Sequence, residues 1–533
     1  MVSRRRRSAR ALAALGLGVL PLACSGSGGD GSSPTTTWPI SVVAGGGTVR
    51  LGLPGALVLD PVDASLASPS DQLVLDILYD GLTRVDDAGV VQPALAASWR
   101  HNADLTAWRF QLAPGAAFAS GRPITAADVI ASIERVAALG TTSLVALSLE
   151  PVTGFGALAE GSAEHLAGLT AVSDSVVRFA LDEPLSVLPA IVASAAFGVV
   201  DIPSLEATAA IPRAELDLSG GWAVTGATGG DLSLTRRADA AASLDGIELR
   251  AYADAGAAYD AFADGAVDWA LVPPVRFDEA VDEYGDDHFA PFHAELFFGM
   301  HLGTPNLANA SLRQAIEAAI DREAIVAAVY PDLADPLATV IPAGVSGHDP
   351  ARCGGCGPDT DRAAEIVATA FPDGDVPTVN IDFDTSPAQV AMAKIIAADL
   401  KAAGIPTSLR PLPLEDYKRF VVGGTHELFT FGWIGVYTSP DAYLAPLFVS
   451  DSDDNLTAYR SPEVDGFLSR ARAADDEVKN AERWVRAEET VMESSVVVPI
   501  AQFRTQVVVA DRVAGWQHAV DGTVNWSKVT VNP

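Results

Sequence analysis

The 533-residue chain reads as an α/β protein, on three features of its sequence. Both ends of its folding part are strand-like, capped amphipathic helices lie between them, and helical and strand-like segments alternate along the chain. At 49% hydrophobic, the roughly 500 residues after the N-terminal leader are enough for two or three cores. No internal repeat is found.

The leader comes first. Arg4, Arg5, Arg6, Arg7 and Arg10 precede the apolar run from Ala11 to Leu20, and the small Ala23 stands before Cys24. Residues 1–23 read as an export signal and not as a spanning helix, because crossing about 30 Å of hydrocarbon takes about 20 apolar residues. The positive start fits the orientation a signal adopts during export. Leu20-Pro21-Leu22-Ala23-Cys24 resembles a bacterial lipobox, which implies lipidation of Cys24. Pro21 and Leu22 depart from the usual leucine and small residue there, so cleavage without a lipid is the alternative. Ser25 to Thr37 (SGSGGDGSSPTTT) completes a tether over 24–37, too polar to fold and able to reach roughly 40 Å when extended. No later segment reads as membrane-spanning.

Next comes Gly47 to Leu53 (GTVRLGL), whose small or polar residues alternate with apolar ones as in a strand. Thr125 with Asp128 three residues on predicts a capping-box helix start, and Val129, Ile133 and Val136 share one face of that helix. Ser311 is expected to cap one helix running to Tyr330, buried along Leu312, Ile316, Ile320 and Ile325 and stopped by Pro331. Pro387 to Ala403 predicts another amphipathic helix, ended by Gly404 and followed by a strand over Thr407 to Leu412. Ser494 to Ala510, rich in valine, closes the pattern as strand.

Removing residues 1–23 deletes five arginines and no acid, which takes the formal charge from -33 to -38. Nucleic acid is not an expected partner, since no Lys/Arg cluster survives to meet phosphates. The acidity reads as a solvated, solubilising surface. Cys353 and Cys356 form C-G-G-C in a Gly/Pro/Asp-rich loop. In an oxidising compartment a local disulfide staple is the leading reading, with redox or metal roles as alternatives.

Hydrolase and nucleotide motifs fail. Gly344-Val345-Ser346-Gly347-His348 lacks the last glycine of a nucleophile elbow, and neither H-E-x-x-H nor a phosphate-binding glycine loop is present. His293 and His301 read as ordinary surface or core histidines, and Asp475-Asp476 as a solvated helix face. No catalytic set, cofactor or metal site is expected.

Residues 76–135 carry Leu78-Tyr79-Asp80-Gly81-Leu82, Pro93-x-Leu95-Ala96-x-Ser98-Trp99, Phe118-x-x-Gly121-x-Pro123 and Ala127-Asp128-Val129. Further on stand Arg313-Gln314-Ala315 with Ala319-Ile320-Asp321-Arg322, Gly432-Trp433, Ser439-Pro440-Asp441 and Tyr459-x-Ser461-Pro462. This pattern, over about residues 47–530, resembles the family 5 extracellular solute-binding proteins, the oligopeptide, dipeptide and nickel group. Ala113 departs from it, standing where a basic residue is usual.

The resemblance implies a two-lobed, periplasmic-binding-protein-like α/β fold (type II, cluster C) with an extra α/β subdomain. The large lobe would take 38–66, 200–290 and 496–533, the inserted subdomain 67–199 and the second lobe 291–495. A peptide or other small ligand would sit between the lobes and pass to an ABC permease with its ATPase. The expected protein is a monomer on the outer face of the cell membrane, held by its lipid. By position, Ser65 to Ser70, including Ser68 and Pro69, should run along the cleft, with Trp433 as a wall or an ordinary core residue. The residue three after that tryptophan is an aspartate in many peptide binders, where it pairs with the ligand's amino group. Here it is Val436, so a free peptide N-terminus lacks its usual partner. Asp441 is the conceivable substitute, with a plain turn role as the alternative. Blocked, modified or differently oriented peptides, or a non-peptide solute such as an oligosaccharide, opine-like compound or metal chelate, therefore stand as alternatives, as does a sensory role.

Overall fold

The computed structural model describes residues 46–86, 88–207, 213–352 and 357–532. Cys24, Cys353 and Cys356 lie outside them, as does the tether.

Three sheets organise the described chain. The first runs 507–509, 269–271, 48–54, 246–252, 231–236, 222–228 in spatial order. Its N-terminal strand, Thr48–Pro54, is parallel to Gly246–Tyr252 and to Trp269–Leu271. Alternation explains it: Val49, Leu51 and Leu53 are buried in one core. Between them, Arg50 and Arg512 both fork onto Asp268, at 2.6–3.0 Å, and so tie the first strand to the chain just after strand Val507–Val509. Desolvation would raise the Asp268 carboxyl, but the two guanidiniums hold it down at about 2.

The second sheet runs 334–336, 497–505, 290–300, 428–434, 379–384, 407–412. Its central strand, Ala290–Met300, is antiparallel to both neighbours. Leu296, Phe298 and Met300 enter a core on one face with the 310–319 and 387–402 helices, while Phe297 enters a core on the other. The third sheet, 96–101, 107–112, 176–180, 169–173, is antiparallel, and it shares a continuous hydrophobic core with that other face.

The chain crosses between the first two sheets twice. One crossing spans 272–289, and the other is a single residue, Gln506, between strand Val497–Thr505 and strand Val507–Val509. The buried Gln506 holds the crossings together, its carbonyl accepting from Val272 N (3.0 Å).

Several local expectations hold. Thr125 and Asp128 form the reciprocal capping box, and the helix Ala126–Ala137 buries Val129, Ile133 and Val136. The helix Pro387–Ala402 and the strand Thr407–Leu412 lie where they were read. Gly404 takes a left-handed φ of 79°, which is why a glycine stops that helix.

Others are corrected. The long helix from Ser311 is two. Asn309, not Ser311, caps Ala310–Ala319. Ile320 is then extended, and the Asp321 carboxylate accepts from Ala324 N (2.8 Å) to open Arg322–Val329. An aspartate that competes for the backbone breaks the run, although its apolar periodicity is continuous. Asp476 likewise is not mid-helix but the cap of Glu477–Glu493. That helix ends at Glu493, so Ser494 and Ser495 precede the strand expected to begin there. Segment 496–533 is divided, because strand Val497–Thr505 bonds within the second sheet and the chain enters the first only after Gln506. The helix Pro69–Leu78, placed by sequence in the inserted subdomain, packs Leu73, Val74, Leu75, Ile77 and Leu78 into the first sheet's core.

Candidate functional site

The segment expected to line a cleft is a self-bound turn. Asp60 is forked by Arg135 (3.0 and 2.6 Å). Ser65 N donates to Asp71 Oδ2 (2.9 Å), and its carbonyl accepts from Gln72 Nε2 (3.0 Å). Ser68 caps the following helix, accepting from Asp71 N (3.2 Å), and Pro69 and Ser70 are buried at its first turn. The hydroxyl of Ser70 finds no hydrogen bond among the described residues.

Trp433 lies in strand Leu428–Ile434, opposite Glu295 in register. It is buried, and its indole N–H donates to Ala442 O (2.8 Å), which fixes the strand against the helix Asp441–Phe448. Gly435 follows because only glycine fits: a Cβ there would stand 2.3 Å from the Tyr443 hydroxyl. Val436 is buried in the same apolar core as Trp433 and Tyr443.

Asp441 is not free to replace the missing aspartate. It is fully buried and bound by Arg472 at 2.7 and 2.9 Å, with the Tyr437 hydroxyl at 2.6 Å. Desolvation would lower the Arg472 guanidinium, yet the Asp441 carboxylate raises it. The pair is a closed charge inside the wall, not an anion offered to a ligand.

One residue brings the predicted parts together, and sequence reading treated it as incidental. His293, at the start of the central strand, accepts through its carbonyl from Gly435 N (3.0 Å) and donates its own N–H to Val520 O (2.9 Å). Its ring Nε2 bonds Leu66 O (3.2 Å). Burial lowers its pKa, so the ring is neutral with its proton on Nε2 for that carbonyl. Turn 65–68, the end of the Trp433 strand and loop 519–522 therefore meet at His293. No local motif marks it, since its three partners are 142 or more residues away.

Glu295, two residues on, is fully buried with neither carboxyl oxygen hydrogen-bonded among the described residues. Burial, with Glu488 adding, raises it well above an ordinary carboxyl, so it is held protonated. A charged letter within an apolar strand was the available signal. Among the described residues no three His, Cys, Asp or Glu side chains are placed to hold a metal, and no helix is long and apolar enough to cross a membrane. A cavity of about 490 Å3 lies elsewhere, between the first sheet's body and the inserted one.

Comparison with known proteins places this geometry. A profile for bacterial extracellular solute-binding proteins, family 5 middle, matches residues 90–455. The periplasmic oligopeptide-binding protein OppA of Escherichia coli is 23% identical over 471 residues, 82% of this chain and 84% of that protein. The probable deoxycholate-binding periplasmic protein YgiS of the same organism is 23% identical over 465 residues, 84% and 86% of the two chains. Among solved structures, the unliganded open form of the periplasmic murein tripeptide-binding protein MppA matches with a TM-score of 0.79 at 20% identity, covering 91% of this chain and 97% of that one. The expected two-lobed α/β architecture is thereby established.

Proposed function

This chain belongs to the family 5 bacterial extracellular solute-binding proteins, and from that premise we propose that it captures peptides for an ABC importer. Ligand is held between the lobes around His293, and the importer's permease, driven by its ATPase, receives it. The chain acts as a monomer by binding and not by turnover. Cys24 carries the lipid that keeps it at the outer face of the membrane, in a periplasmic or extracytoplasmic setting. Its lobes follow the expected division, adjusted so that 497–505 joins the second lobe and 69–78 the first.

The observation that carries the ligand reading is the wall at 433–441. Val436 is apolar and buried, Asp441 is already neutralised by Arg472, and the buried Glu295 opposite Trp433 is held protonated. A free ammonium placed there would lose its water without gaining a counter-ion, which costs several kcal/mol. The peptide is therefore N-blocked, modified or turned so that its amino end points elsewhere. The same wall, with a relative named for deoxycholate, supports a non-peptide solute as the second reading.

Denaturing the purified protein and identifying its co-purifying ligand by mass spectrometry tests both. A blocked or modified peptide is the expected result. A steroid, sugar or chelate would select the second reading, and an ordinary free-amine peptide seated by residue 436 would overturn the argument from the wall. Cys24→Ala should release the protein from membranes, and its retention would refute the anchor.

A further inference from the structure

The cavity of about 490 Å3 is large enough for a small organic molecule, and Trp433, Val436 and Asp441 are not among its lining residues. It is lined from both bodies, by Asp76, Asp80 and Thr83 on one stretch of chain and by Trp222, Asp521 and Trp526 on others. Trp526, packed edge to face at 6.4 Å on the buried Trp222, supplies its aromatic surface.

Its carboxylates are poorly compensated. Among the described residues Asp76 accepts only from neutral donors, Trp526 Nε1 (2.9 Å) and Val524 N (3.2 Å). Desolvation lifts it to about 7, with Asp521 and Asp80 adding to the effect. The Asp80 carboxyl accepts no hydrogen bond among the described residues, and desolvation lifts it to about 6 against the pull of Arg84 and Arg237. Asp521 receives Thr523, from its N–H (3.1 Å) and its hydroxyl (2.8 Å).

The two guanidiniums on the lining do not settle this charge. Arg237 is spent on the carbonyls of Ala117 (2.8 Å) and Gly220 (3.2 Å) and on Asp239 (2.9 Å). Arg84 is exposed. Asp86 also lines the cavity, its carboxylate taken by Gln92 Nε2 (2.8 Å) and by backbone N–H groups of 88 and 90.

We propose that this cavity is a second ligand site, which takes a small organic ammonium ion with Asp80 and Asp76 as counter-ions and Trp526, backed by Trp222, as its apolar wall. An ammonium meets the desolvated carboxylates as a charged hydrogen-bond donor, and the Trp526 indole packs against its hydrocarbon part. Small anions are disfavoured there by the surplus of carboxylates. Loop 519–522 borders both places, lining this cavity through Ala519 and Asp521 and bonding His293 through the Val520 carbonyl.

Isothermal titration of the mature protein at pH 8 with phenethylamine, and with the uncharged 2-phenylethanol as control, tests the proposal. Phenethylamine should bind saturably, and the alcohol about tenfold or more weakly. Asp80→Asn should weaken the amine about tenfold, and Asp521→Asn by a smaller factor, with circular dichroism confirming that each variant is folded. If Asp80→Asn does not fold, Asp521→Asn decides alone. Equal affinity for the amine and the alcohol, unchanged affinity in folded Asp80→Asn or, failing that, in Asp521→Asn, or no saturation up to about 10 mM amine would overturn it.

Discussion

The wall at 433–443 and the cavity beside Asp76 both withdraw aspartates from water, and they deal with the charge in opposite ways. At the wall, Arg472 meets Asp441 with two parallel bonds, so the charge is answered from within the protein and the side chains are fixed. At the cavity, among the described residues, Asp76 has only neutral donors and Asp80 has none, so their charge is answered by protons that leave at about 7 and 6. A desolvated charge paired inside the protein is architecture. One that faces open space without a partner is available to a ligand.

Arg472→Met leaves Asp441 buried without a cation and should cost about 3–5 kcal/mol in urea unfolding. A loss below about 1 kcal/mol would mean that the pair behaves as a surface contact.

On the other side, Asp76 sets a pH dependence with the opposite sign to that of a salt-bridged acid. Its folded pKa lies above the unfolded one, so between about pH 4 and 7 the folded chain keeps a proton that the unfolded chain has lost. Stability should fall as pH rises through that window and level off above about pH 7. Asp76→Asn, whose amide oxygen still accepts from Trp526, should lose that part of the slope, a difference on the order of 2 kcal/mol between the ends of the window. Denaturant midpoints of the two proteins at matched pH measure it, and parallel slopes would refute it.

Val436→Asp puts a carboxylate where the wall has none. It should raise affinity for a free-amine peptide about tenfold, or about 1.4 kcal/mol, by calorimetry. Unchanged affinity would show that the amino end does not lie at 436. Ser68→Ala, which removes the cap of the helix that carries Asp76, should lower stability by about 1 kcal/mol in thermal unfolding. A neutral result would mean that packing against the first core alone holds the helix.

Much of the fold was legible because its signals are local. A capping box spans four residues, as at Thr125 and Asp128, and a glycine stop such as Gly404 needs only its own φ. The reading failed where a short-range competitor interrupts a good pattern, as Asp321 does in the middle of an apolar helical stripe. At the site, sequence pointed to Trp433, Val436 and the 65–70 segment but missed His293, which gathers them. Its bonds to Leu66, Gly435 and Val520 each span more than a hundred residues, and no spacing encodes that.

The sequence by itself determined the alternation of helices and strands, the family pattern and the replacement of a usual aspartate by Val436. Those depend on side-chain type, period and caps, which are properties of neighbours along the chain. Only the tertiary structure decided what each carboxylate does. Asp441 meets Arg472 across 31 residues, while Asp76 meets Trp526 across 450 and finds no cation among the described residues. Whether a buried charge is silent or reactive depends on what the fold sets beside it, because desolvation and pairing act through space and not along the chain.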